Sequence, residues 1–327
     1  MSVGKFGGPV AIHRPCSGPG CPQVSDSRFC WSRLPADAVA MRSLRQVTKK
    51  AGFFTHAEAL AAGCTINDIR TAVRLGEWHR LRKGAYVFAD EWEPLEHATR
   101  HWLRTRAAVH TLGAGVAVSH ASGVVAYAID DWRLDLTRIH VTRLDGRSER
   151  IVADVVQHER GKGELELRNV AGIRVLEPQR CVLEAAVHLD PEAAFCLLES
   201  GLRSKQFDRT DLETAYATLH ARHRIGRLQP LVALAGSQSG SVAESRGLWL
   251  FDQAGLPRPE QQWEVRRPNG SLVGAVDWVW HEWRLIVEFD GKVKYSGKFG
   301  RTGTHASSPR RSVRTRSVSS PAIASSG

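Results

Sequence analysis

From about residue 43 onward, apolar side chains return every three or four positions in long runs and alternate or cluster in shorter ones, the periods of helices and strands. Ser43 precedes a helical run that stops at Gly52. Thr55 with Glu58 forms a capping box for a second helix stopped by Gly63, and Thr65 with Asp68 opens a third. The stretch from Glu77 to Phe88 then reads as a hairpin, so residues 41–92 predict a winged helix-turn-helix. In the third helix Ile66, Ile69 and Val73 form the expected core face. Asn67, Arg70, Thr71 and Arg74 are left facing outward, the side-chain types that contact bases and phosphates in a major groove. Arg80, Arg82 and Lys83 fall in the predicted wing, where phosphate contact is natural.

Residues 93–235 predict a mixed α/β middle domain. Helical patterns cover about 95–111, 178–189, 191–204 and 210–223, another opens at Ser119-His120, and 138–143 and 173–176 read as strands. A hydrolase reading of Ser119 and His120 lacks a nucleophile-elbow motif, and helix capping is the simpler role. His140, His158, His188 and His220 are scattered and share no metal-ligand spacing. Residues 235–241, Ala-Gly-Ser-Gln-Ser-Gly-Ser, read as a short flexible linker. Ser241 with Glu244 then caps a helix over 242–253, and 262–267 is a strand.

The following stretch, 274–292, carries the chemistry. Two apolar strands flank a turn at 281–284, which sets position 277 opposite 288; alternation puts Glu288, Asp290 and, if the strand continues, Lys292 on one face beside Asp277. Like charges that close repel unless a cation sits between them, and Mg²⁺, a hard oxygen-seeking ion used in phosphate chemistry, fits. Two plainer readings stand beside this one: Glu244 as a cap, and Asp290-Gly291 as a turn. Trp278, Trp280 and Trp283 read as core packing, not as a base-stacking platform.

Asp277, ten intervening residues and then Glu288-Phe289-Asp290 resemble the PD-(D/E)XK nuclease core. With 241–245, Gly255-Leu-Pro and 289–294, they are similar to its very-short-patch-repair-endonuclease-like branch. The resemblance implies Mg²⁺ on Asp277 and Glu288, an assisting acid at Glu244, and Asp290 where the lysine usually stands, with Lys292 or Lys294 as substitutes. It further implies hydrolysis of a DNA phosphodiester, weak or absent here because the family's closing helix and strand are missing. Gly52-Phe-Phe-Thr-His through 80–87 resembles the N-terminal domain of AbiEi-type antitoxins, and 119–122 does so more loosely. That resemblance implies a non-enzymatic autoregulator with DNA, and a cognate toxin, as partners. Its plainer alternative is a helical module that docks on the rest of the chain or on a second copy.

Composition adjusts this picture in three places. The net charge is +11, but residues 296–327 hold six basic residues and no acidic one, so much of the excess lies outside the patterned region. Within the pattern, 41–90 is the basic part, with nine basic side chains against four acidic. The six cysteines form no Cys-x-x-Cys pair, and Cys64, Cys181 and Cys196 read as small buried hydrophobes. No run approaches the roughly 20 apolar residues of a membrane helix, and 1–40 contains no secretory signal. A cytoplasmic protein without a small-molecule cofactor is expected.

The resulting expectation is an α+β multidomain chain of 327 residues. Its parts are a disordered leader over 1–40, with Met41 as the start of the native protein, the winged helix, the middle domain, an incomplete restriction-endonuclease-like domain over 236–295, and a disordered basic tail over 296–327. The tail's Arg/Ser/Pro character fits an out-of-frame or truncated continuation, or else a basic arm that binds phosphates non-specifically.

Overall fold

The computed structural model describes residues 35–161, 165–222, 224–289 and 313–317. The N-terminal part comprises α1 (Pro35–Ala51), β1 (Phe54–Thr55), α2 (His56–Ala61), α3 (Ile66–Arg74), β2 (Trp78–Arg82) and β3 (Ala85–Phe88), with strand order β1-β3-β2. Both expected capping boxes form: Thr55 and Glu58 close the start of α2, and Thr65 and Asp68 that of α3. Phe54, Trp78, Tyr86 and Phe88 pack with Leu44 and Ile69, the Phe54 and Trp78 rings meeting edge to face at 4.7 Å.

Two expectations need correction in this part. Ser43 lies inside α1, which begins at Pro35 and so takes in residues expected to be an unstructured leader. Ala40, Leu44 and Thr48 share one buried face at helical spacing, so the pattern runs back past Met41, and proline is at home in a first turn. Ile66 is exposed, because the first position of α3 faces away from the core that Ile69 and Ala72 enter.

After α4 (Ala89–Trp92) comes α5 (His97–Leu112), which joins two cores. Its Leu103 and Ala107 meet Phe53, Leu81 and Val87 of the N-terminal part, while Ala108 enters the next sheet. That sheet is built from β4 (Val116–Val118), β5 (Ile139–Arg143), β6 (Arg150–Val152), β7 (Val155–His158), β8 (Leu167–Val170) and β9 (Ile173–Leu176). Its order is β6-β7-β5-β4-β9-β8, with β4/β9 and β5/β7 parallel and the other pairs antiparallel. Four helices, α6 (His120–Ala126), α7 (Pro178–Ala186), α8 (Pro191–Arg203) and α9 (Arg209–Leu219), supply most of the surrounding core, followed by the short α10 (Gln229–Leu234). Cys181 and Cys196 are buried in it, and Cys64 is buried in the N-terminal part.

The last part contains α11 (Val242–Gln253), β10 (Glu260–Arg266), β11 (Leu272–Trp280), β12 (Leu285–Phe289) and β13 (Val313–Ser317), an antiparallel sheet in that order. Leu248, Trp278, Trp280 and Val287 belong to the same hydrophobic core as α7 and α8. The connection at 235–241 is therefore no flexible linker: Glu199, fully buried, accepts hydrogen bonds from the Gly236 amide at 3.0 Å and the Ser239 hydroxyl at 2.7 Å. Trp278 and Trp280 are core as expected, whereas Trp283 is 46% exposed and stacks on Trp280.

The tail also departs from expectation, since the backbone of 313–317 pairs with β12, position 314 opposite 288. An edge strand's free amides and carbonyls accept any extended segment, and β-branched residues at 313 and 315 suit that conformation. The chain is thus an α+β protein with three sheets among the described residues. None of its described helices is long and apolar enough to cross a membrane.

Candidate functional site: a carboxylate hairpin, a basic helix and a histidine corner

On the β11–β12 hairpin, Trp278 pairs with Val287, and both are buried toward α11. Continuing that register sets Asp277 beside Glu288, and alternation puts both on the opposite side of the sheet. Asp277 Oδ2 accepts the Phe289 amide at 2.6 Å, which fixes its carboxylate across the strand pair. Glu288 is half-buried and has no hydrogen-bond or ion-pair partner among the described residues.

Glu244 sits in the first turn of α11 and serves as a cap. Its carboxylate accepts the Gly240 amide at 2.7 Å, the Ser241 hydroxyl at 2.9 Å and the Gln262 side-chain amide at 2.9 Å. Gln262 lies between the ladder pairs Gln261↔Trp278 and Trp263↔Val276, at the level of Asp277, with a left-handed φ of 51°. It therefore links the helix-borne acid to the hairpin. Sequence reasoning misses this glutamine, although its position in the strand next to the acidic one is a signal that could point to it.

Asp290 and Lys292 lie outside the described residues, as does Lys294. Among the described residues, no three His, Cys, Asp or Glu side chains gather closely enough to hold a metal. Asp277 with Glu288, which has no partner among the described residues, still fits Mg²⁺, which uses one or two carboxylates and takes its other ligands from water and substrate phosphates.

On α3, Asn67, Arg70 and Arg74 are exposed, and Thr71 is half-buried. Arg80 and Lys83 are exposed on the β2–β3 hairpin. Arg82 differs: its guanidinium pairs with Asp154 at 3.1 Å, and Arg104 of α5 holds the other oxygen of that carboxylate at 2.9 Å. It ties the hairpin to the six-stranded sheet.

A third constellation is invisible in the sequence. His120 at the start of α6, His140 in β5, His158 at the end of β7 and His188 just after α7 come together in space. The His120 and His158 rings stack at 3.7 Å, and the His120–His140 and His120–His188 centroids are 5.7 and 6.1 Å apart. Glu149 accepts from His158 Nδ1 at 2.9 Å, and His158 Nε2 lies 2.9 Å from His140 Nδ1. His120 Nδ1 lies 3.0 Å from Ser119 Oγ, so that hydroxyl turns to the ring and not to the helix amides expected of a cap. The same nitrogen is 3.3 Å from Glu184 Oε2, too poorly aligned for a hydrogen bond, which leaves that buried oxygen unsatisfied. Glu184 Oε1 is held by Arg180 and Arg222.

Burial, reinforced by the neighbouring imidazoles, drives the His120 pKa well down and that of His140 to about 3. His188, whose side chain is exposed, is also lowered, by partial desolvation, by His158 and by Arg224 and Arg227. His120 also has a left-handed backbone, φ 50°, a strain of about 1 kcal/mol that surrounding structure must hold in place. His220 stands apart, exposed and bonded to the Ala217 carbonyl.

No family model matches this chain. It is 28% identical over 131 residues to two uncharacterized Mycobacterium tuberculosis proteins, one from strain CDC 1551 / Oshkosh and one, Rv2248, from strain ATCC 25618 / H37Rv. Each match covers 40% of this chain and 48% of the relative, so the chain spans about half the length of the curated relatives it matches. Among solved structures it is similar to the RV2827C protein from Mycobacterium tuberculosis, at 18% identity and a TM-score of 0.39, over 72% of this chain and 90% of that one.

Proposed function

We propose that this protein binds duplex DNA through a winged helix formed by α3 and the β2–β3 hairpin, and that Asp277 and Glu288 form a Mg²⁺-dependent site for phosphodiester hydrolysis. The observation that carries the reading is the pairing of two carboxylates on one face of adjacent strands, one fixed by a backbone amide and the other without a hydrogen-bond or ion-pair partner among the described residues. Mg²⁺, when bound, supplies charge neutralisation at the phosphate and a nucleophilic water at neutral pH. Asp277, oriented by the Phe289 amide, and Glu288 would hold it, while Gln262 and Glu244 brace the site from α11. Arg70, Arg74, Arg80 and Lys83 are exposed and free to meet phosphates.

Incubating the full chain with supercoiled plasmid and Mg²⁺ tests the hydrolytic half. Slow nicking is expected, abolished in Asp277→Asn and Glu288→Gln while DNA binding persists. No nicking, or nicking indifferent to both substitutions, overturns it.

A second reading, a non-enzymatic AbiEi-like regulator or antitoxin, is favoured by one observation: Glu244, the assisting acid of the nuclease resemblance, is engaged as a cap, which leaves Asp277 and Glu288 as the carboxylates of the site among the described residues. Under either reading, Arg70→Ala with Arg74→Ala weakens DNA binding. The slope of log affinity against log salt should fall by about one for each phosphate that no longer meets an arginine. Unchanged affinity and slope would remove α3 from the interface.

A further inference from the structure

We infer that the four-histidine corner where α6, β5, β7 and the end of α7 meet is an acid-operated release: proton uptake by its imidazoles loosens α6 and the β5–β7 pair from α7. The hydrogen bonds fix the neutral arrangement. Glu149 accepts from His158 Nδ1–H, which leaves the His158 Nε2 lone pair to accept from His140 Nδ1–H. One added proton can be shared along this chain by a change of tautomer. A second leaves two N–H donors facing each other at 2.9 Å, with the His120 ring stacked 3.7 Å above His158.

The countercharge is too small for more. Among the described residues, two carboxylates, Glu149 and Glu184, contact the imidazoles directly, and Glu184 already holds Arg180 and Arg222. Other cations approach from the segment after α9, with Arg224 and Arg227 acting on His188. His101 of α5 lies next to His140, and Asp135, ahead of β5, is a partial offset for both. The proton is the ligand the geometry suits: stacked parallel rings cannot aim their in-plane lone pairs at one ion, and no three donors converge among the described residues.

The sign follows from the depressed values of His120, His140 and His188. An opened corner takes protons near the ordinary histidine pKa of about 6.5, whereas the closed one resists them, so opening is favoured as pH falls from that value toward the closed-state pKa values.

Amide hydrogen exchange of the full chain between about pH 7 and about pH 5, corrected for intrinsic rates, tests this. The opening constant of 119–127, 139–143 and 155–158 should rise more than ten-fold per pH unit, since each proton taken up contributes up to about ten-fold. His140→Asn should reduce that slope by about one proton, and His188→Gln, at an exposed ring, by less. A slope of one proton or less, or an unchanged slope in both variants, overturns the inference. Should a variant not fold, side-chain ¹⁵N spectra of the unsubstituted chain decide: His120 and His140 must remain neutral until the corner opens, and protonation without opening overturns it.

Discussion

Glu199 illustrates what one residue contributes and why the sequence conceals it. With no exposure, it accepts the Gly236 amide and the Ser239 hydroxyl, and the same hydroxyl oxygen accepts from Gln261 at 3.0 Å. The Gly/Ser composition of 235–241 signals a flexible tether when only neighbours are considered. The carboxylate that fixes it lies nearly 40 positions earlier, at a distance no local pattern spans. Glu199→Ala leaves two donors without a partner inside the fold and should cost about 2–3 kcal/mol, read as a lower urea midpoint. A change below about 0.5 kcal/mol would mean that the segment is not held there.

The histidines follow the same logic. Each is unremarkable in its own stretch, and only β5–β7 pairing with α6 and α7 alongside makes them a group. Asp277 and Glu288 are legible because a two-strand register is short-range: a turn at 281–284 fixes which positions face each other.

At the scale of elements, start and stop signals decide what can be read. Ser241 and the glycine at 255 bracket α11, and the helix observed, Val242–Gln253, is the one predicted. In α1 a serine on the exposed face imitates a cap, because no local signal separates it from the earlier start at Pro35.

The seat of α11 gives a prediction at this scale. A Cβ at Gly247 would fall 2.6 Å from the Trp278 ring, closer than atoms pack. Gly247→Ala gains up to about 1 kcal/mol of helix propensity, but overpacking against an indole costs about 1–3 kcal/mol. Net destabilisation is expected, with a shift in tryptophan emission as Trp278 moves; a stabilised protein with an unshifted spectrum contradicts this. Because Trp278 neighbours Asp277, the same shift would disturb the carboxylate pair.

For the whole molecule, the sequence indicates an α+β chain but not how its parts share cores. Sheet order needs pairings between distant strands, such as β4 with β9, and apolar periodicity does not specify partners. Two elements join what composition separates: α5, buried on both sides, and the core containing α7 and α8 together with Trp278, Trp280 and Val287. Unfolding should therefore show one cooperative transition for α7–α8 and the β10–β12 sheet, followed by tryptophan emission and far-ultraviolet dichroism together. Separate midpoints would argue for independent units.

The shared core also bears on how this protein can be taken apart. The β10–β12 sheet with α11 is not a cassette: severed at 235–241, it would bare Leu248, Trp278, Trp280 and Val287 on one side and the α8 face with Phe195 on the other. Both fragments would then carry an adhesive apolar surface. Transplanting the carboxylate hairpin into another scaffold thus requires bringing α7 and α8 with it, or replacing the surface they offer.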